Sequence, residues 1–212
     1  MMRSSALRFG FHASLAACIA SIAFSVVQSL QVVGLVSRPF DEILIYATSL
    51  CIATPYILAM LALHHTAAED KKLWTHAAVL FGVMYAVYVS FNYVVQLATV
   101  VPARVAGTVH EVRVLDQTPH SMFWDVDALG YIFLGLSTLF AGFAFDVKER
   151  WLRRFLFANA LITPLIALVY FYPRFSIPLL LLGTPWLVTV PGALLLLTLH
   201  FRRALSNPVI RA

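Results

Sequence analysis

Residues 123–145 read FWDVDALGYIFLGLSTLFAGFAF. The stretch opens on two acids, Asp125 and Asp127, and then runs to Asp146 without another charge, through a set of small residues. In a water-soluble domain it would be one buried helix. Here the rest of the chain is as apolar as this stretch. Of the 212 residues 61% are hydrophobic and 12% charged, and the mean hydropathy is +0.85. A soluble domain carries about 25% charged residues, so this chain lacks the polar surface to cover itself. The stretch is therefore read as a membrane-spanning helix with acids at its mouth, and the fold as an all-α bundle of membrane helices.

Working outward, a helix needs about 20 residues to cross the hydrocarbon, and six spans emerge: about 10–36, 42–63, 73–101, 124–145, 152–172 and 177–201, forming one domain over 1–212. No run alternates as the strands of a membrane barrel do. Arg3 and Arg8 precede the first apolar run, which is too long for the core of a cleaved signal peptide, so it is expected to stay as the first span. The longest connection is 102–122, PARVAGTVHEVRVLDQTPHSM, in which a short strand or an amphipathic turn is expected. Span six holds Pro178, Gly183, Pro185, Pro191 and Gly192. It is either one kinked helix from near Ser176, or a short piece followed by a helix capped by Thr184 with Pro185 in its first turn.

The basic residues set an orientation. With the N-terminus inside, the inner loops and ends hold Arg3, Arg8, Lys71, Lys72, Lys148, Arg150, Arg153, Arg154, Arg202, Arg203 and Arg211, against Arg38, Arg104, Arg113 and Arg174 outside, eleven to four. That bias places both termini in the cytoplasm and makes the cell membrane, a bacterial inner membrane, the expected location. The same scatter of charge among short loops argues against nucleic acid as the partner of a chain of net charge +5. Trp74 and Trp151 open spans at the expected inner interface, Trp124 and Trp186 at the outer one, where an indole keeps its N–H near water. Thr54-Pro55 and Thr163-Pro164 sit near the middle of the second and fifth spans, as an inverted repeat of three helices would leave them.

Polar groups inside lipid must face protein or water. On span three Tyr85, Tyr88, Asn92, Gln96 and Thr99 fall within about 80° of one another on a helix, and Ser21, Ser25 and Gln28 share a face of span one. Gln28, Gln31, Asn92 and Gln96 lie toward the outer half, where span four begins with Asp125 and Asp127 and carries Tyr131 one turn below. Two readings stand side by side. One is interhelical hydrogen bonding that holds the bundle together. The other is a polar outer-half cavity lined by spans one, three and four and covered by loop 102–122, in which Gln28, Asn92, Gln96, Asp125, Asp127 and Tyr131 meet a small molecule. The aspartates also suit the N-terminus of a helix, where they satisfy free N–H groups. Ala128, Gly135, Thr138 and Gly142 share a close-packing face, expected to hold span four against the polar face of span three.

Motifs of known chemistry are missing. His12, His64, His65, His76 and His200 lie at inner helix ends without HxxxH or HExxH spacing, so they are read as interfacial histidines, and no metal or cofactor is expected. His110 and His120 in the outer loop are equally unspecific. Cys18 and Cys51 fall inside apolar runs and read as packing residues. No nucleophile elbow, Walker loop or dinucleotide turn is present, which leans the reading away from an enzyme.

Asn92-Tyr93 with Gln96, Val101-Pro102, the long loop, Asp127-Ala128-Leu129-Gly130-Tyr131 and Leu134-Gly135-Leu136-Ser137 with Leu139-Phe140 together resemble a group of small bacterial multi-pass membrane proteins of uncharacterised activity, over roughly 90–145. The resemblance implies a bacterial membrane protein of similar layout and carries over no functional residue. Three functions are consistent with these residues: binding or passing a small molecule through the outer-half cavity; an intramembrane enzyme acting on a lipid or isoprenoid through Asp125 and Asp127; and an accessory subunit packed on itself or on a partner membrane protein. In the second, the two acids diverge by about 200° on a regular helix, so only an uncoiled first turn would bring them together.

Overall fold

Lipid offers no partner for backbone N–H and C=O groups, so a spanning segment satisfies them within itself as a helix. The computed structural model describes residues 2–206 and follows that rule throughout, with no strand among those residues. Its α-helices are α1 Met2–Val32, α2 Phe40–Thr66, α3 Lys72–Val95, α4 Val101–Val105, α5 Met122–Phe143, α6 Arg150–Phe171, α7 Ile177–Leu181 and α8 Trp186–Ser206. Six helical stretches are long and apolar enough to cross a membrane: Arg3–Val32, Phe40–Thr66, Glu69–Val105, Met122–Phe143, Val147–Phe171 and Ile177–Ser206. Arg211, counted above among the inner basic residues, and the C-terminus itself lie outside the described residues.

The six spans form a closed ring. Each long helix packs on its neighbours in chain order, α1 on α2, α2 on α3, α3 on α5, α5 on α6 and α6 on α8, and α8 returns to α1. Large side chains fill the ring: Phe201, Tyr56, Tyr85 and Leu134 are buried. Gly10 allows the closure, because a Cβ there would stand 2.7 Å from the Phe201 ring and 2.8 Å from Ala62. Across the interior, Tyr56 Oη donates to Ser137 Oγ at 2.7 Å, and Ser137 Oγ donates to the Ala78 carbonyl at 2.7 Å, tying α2, α5 and α3 together. Pro55 and Pro164 each lie in the middle helix of a run of three, α1–α2–α3 and α5–α6–α8.

Several boundaries differ from expectation for identifiable reasons. The first helix stops at Val32 and not near 36, because Gly34 takes φ +73°. The Gly34 N–H then bonds the Gln31 carbonyl at 3.0 Å and the Leu35 N–H bonds the Leu30 carbonyl at 2.9 Å, the pairing of a glycine-terminated helix. The third span is longer than expected and changes pitch. Gln96–Val100 form a wide turn in which the Val101 N–H reaches the Gln96 carbonyl, and α4 follows. Pro102 explains the widening: it lacks an N–H, and its ring would collide with the carbonyl four residues back. The sixth span is broken. Ser176 caps α7, accepting from the Leu179 N–H at 3.3 Å, and a turn over 182–185 precedes α8. The expected Thr184 cap is not made, since its hydroxyl donates back to the Leu181 carbonyl at 2.8 Å. Loop 102–122 contains turns and a 3-10 segment, Val109–Leu115, in place of a strand.

The small-residue face of α5 packs on α6, not on the polar face of α3. A Cβ at Gly135 would overlap the Thr163 hydroxyl, and one at Gly142 would stand 2.8 Å from the Phe157 ring. Toward α3 it is Gly130 that makes room, for Val89. Cys18 is buried, with its thiol 3.8 Å from the Pro191 carbonyl of α8. Cys51 faces outward from the bundle and so is not a packing residue.

Candidate functional site

The polar residues Gln28, Gln31, Asn92, Gln96 and Asp127 gather at one end of the ring, with loop 102–122, hereafter the loop end. The two amides of α3 lie one turn apart and both are fully buried. Gln96 grips the backbone of the loop with both ends of its side chain. Its Nε2 donates to the Leu115 carbonyl at 2.8 Å, and its Oε1 accepts from the Gln117 N–H at 3.2 Å. Asn92 Nδ2 donates to Gln117 Oε1 at 2.9 Å and to Asp127 Oδ1 at 3.2 Å. The other carboxylate oxygen, Asp127 Oδ2, accepts from Tyr170 Oη at 2.6 Å. Beside this group Tyr93 and Tyr131 join hydroxyls at 3.0 Å. The loop is thus a plug seated on α3, and the amide stripe is closed rather than open.

A charged belt continues the seal. Arg104 of α4 donates to Asp116 Oδ1 at 2.8 Å. Its Nε also stands 3.0 Å from Glu42 Oε2 of α2, an ion pair in which the N–H is not aimed at the oxygen. Glu42 takes a second cation, Arg38, at 2.9 Å. Gln31 of α1 donates to Asp41 Oδ2 at 3.0 Å and accepts from Gln28 at 2.8 Å. Partly buried charges of opposite sign offset one another here, as lipid-level burial requires.

Apart from a hollow bordered by Arg38, Pro39, Arg104 and Val105, the open space lies elsewhere. A cleft of about 120 Å³ separates α1 from the break between α7 and α8 and reaches inward to α5 and α6. Phe24, Tyr131, Tyr170 and Trp186 supply aromatic walls, and Gln28 and Thr184 supply polar edges. No Lys, Arg or His lines it among the described residues. Trp186 meets Phe24 at 5.6 Å and Tyr131 at 5.0 Å between ring centroids, both edge-on. It is buried against these neighbours and forms part of the cleft wall. At the mouth, α7 has no buried residue.

The residues singled out from sequence are therefore divided. Asn92, Gln96 and Asp127 meet in the sealed network. Gln28 and Tyr131 line the cleft. Asp125 is exposed and turned away from Asp127, and Ser121 caps α5, accepting from the Trp124 N–H at 3.2 Å. The cleft is lined from spans one and four, together with α6, α7 and the start of α8, and by no residue of span three. Sequence reasoning did not single out Tyr170, which belongs to both regions, nor Gln117, nor Asn159. Asn159 donates to Thr138 at 3.0 Å and accepts from Thr189 at 3.1 Å, linking α6 with α5 and α8. Its signal was present: a lone amide within the apolar run of span five.

At the opposite end Lys71 pairs with Asp146 at 3.3 Å, and His200 with Glu149 at 3.0 Å. His64 Nδ1 lies 2.9 Å from Thr75 Oγ1, and its ring is 5.4 Å from that of His76. No group of three or more metal-ligating side chains gathers among the described residues. Comparisons with protein-family models, with curated proteins and with solved structures find no match to this chain.

Proposed function

We propose that this chain is a multi-pass protein of a bacterial cell membrane, with both termini cytoplasmic, that binds a small amphiphilic molecule in the cleft between α1, α6 and the α7–α8 break. One observation carries the reading: at the loop end the amide stripe is sealed by its own loop, while an aromatic-walled cleft with few polar edges stays open beside a helix that buries nothing. Pockets of that make-up, mostly apolar with a few placed polar groups, suit ligands that have a tail and a head. The volume is close to the roughly 150 Å³ known to take a benzene-sized group, so the cleft holds a headgroup or one end of a chain while the rest leaves past α7. The topology rests on the eleven-to-four bias of basic residues, which an even number of spans turns into a shared side for both ends.

The test uses the protein in zwitterionic phosphatidylcholine nanodiscs, titrated with 10-bromodecanol, whose bromine quenches indoles that it touches. The reading expects a saturable component of tryptophan quenching that disappears in Trp186→Phe and weakens in Val169→Phe, which narrows the cleft. Quenching that rises linearly, unaltered by either substitution, would mean simple partition into the bilayer and would refute the reading.

A further inference from the structure

Within that reading, on which this inference rests, the structure also bears on which headgroup the cleft prefers. Asp127 is buried, and among the described residues it makes no ion pair. Its two oxygens are held by neutral donors, Asn92 and Tyr170. The Tyr170 hydroxyl approaches to 2.6 Å, a short O–H···O bond. When ionised, the carboxylate is satisfied locally but not neutralised, unlike Glu42 and Asp116, which each meet an arginine.

Tyr170 carries that charge toward the cleft. Its hydroxyl is on Asp127 and its side chain lines the open space. A phenol that donates to a carboxylate gains electron density, and chains of such bonds polarise one another. An electron-rich ring attracts a cation more strongly, and the effect is larger where water is excluded. Tyr131 and Trp186 add two further rings at the same place, with centroids 5.0 Å apart, and Tyr131 lies 6.2 Å from Tyr170. Three aromatic walls, one buried uncompensated acid behind them and no basic side chain make an environment hostile to anions.

We infer that the cleft selects amphiphilic organic cations, molecules with an alkylammonium-type head and an apolar tail, with Tyr131, Tyr170 and Trp186 surrounding the head and Asp127 acting through Tyr170. A quaternary ammonium needs no hydrogen-bond partner, which matches a site whose two phenol hydroxyls are already engaged. Its size suits the cleft.

Three probes with one tail and different heads separate the possibilities: decyltrimethylammonium, decanol and decyl sulfate. Each is used below its micelle concentration to relieve the 10-bromodecanol quenching in phosphatidylcholine nanodiscs. The cation is expected to compete about tenfold better than decanol, and decyl sulfate worst. In Asp127→Asn the ratio of cation to decanol falls to within about twofold. Tyr170→Phe, which keeps the ring and breaks the link to the acid, lowers the same ratio and serves if Asp127→Asn does not fold. Equal competition by all three probes, or a ratio unmoved in either variant, overturns the cation inference while leaving the cleft standing. Absence of any saturable quenching overturns the cleft itself.

Discussion

Tyr170 Oη donates to Asp127 Oδ2 across 2.6 Å, fastening the end of α6 to the second turn of α5. In lipid a buried carboxylate that loses a donor has no water to replace it. Tyr170→Phe is therefore expected to cost about 1.5–3 kcal/mol, the range for hydrogen bonds to charged groups, read as a lower unfolding midpoint of the purified protein. Combined with Asp127→Asn, the loss should be smaller than the sum of the two single losses, because the two side chains serve one interaction. Additive losses would show that the bond contributes nothing.

The grip of Gln96 on Leu115 and Gln117 makes a prediction about the loop rather than about global stability. Arg113, two residues before the gripped segment, is exposed and so presents a trypsin site. Gln96→Leu removes both bonds while keeping the volume. At about 1 kcal/mol each, their loss should raise the rate of cleavage after Arg113 roughly thirtyfold. A rate equal to that of the unaltered protein would contradict the picture of a seated plug.

Gly135 faces Thr163 where α5 and α6 approach each other. Gly135→Ala forces a Cβ into the threonine hydroxyl and should cost about 1–3 kcal/mol, as overpacking does. Thr163→Ala removes the hydroxyl and the methyl group nearest that Cβ, so the double variant should recover part of the loss in thermal midpoint. Failure of Thr163→Ala to recover any stability would place the α5–α6 contact elsewhere.

Much of the fold was legible in the sequence because lipid makes a simple demand. A run of about 20 apolar residues must be a helix, and the six spans follow. What the run of residues hides is which face meets which neighbour. The one-face clustering of Tyr85, Asn92 and Gln96 is visible from helical spacing alone, but beside Asp127 the partners of the amides are Leu115 and Gln117, in a loop whose seat no periodicity predicts. The same holds for Gly135. Its role in close packing follows from size, whereas its facing α6 depends on the order in which the ring closes. The packing of Trp186 was hidden for a related reason: an indole at the start of a span does not tell which neighbours it meets, and here it is buried against Phe24 and Tyr131. The expected bounds passed over two local signals, a glycine at 34 that ends a helix and a proline at 102 that widens the turn before it.

Loop 102–122 closes the polar face of α3 while the cleft between α1 and α8 stays open. Cysteine reactivity measures it most directly. In a Cys51→Ala background, Gln28→Cys and Thr184→Cys at the cleft should react readily with N-ethylmaleimide in the membrane, while Val100→Cys, one turn beyond Gln96 on the closed side, should stay unmodified. Rapid modification at position 100 together with protection at 28 and 184 would reverse the assignment of open and closed space and contradict the account.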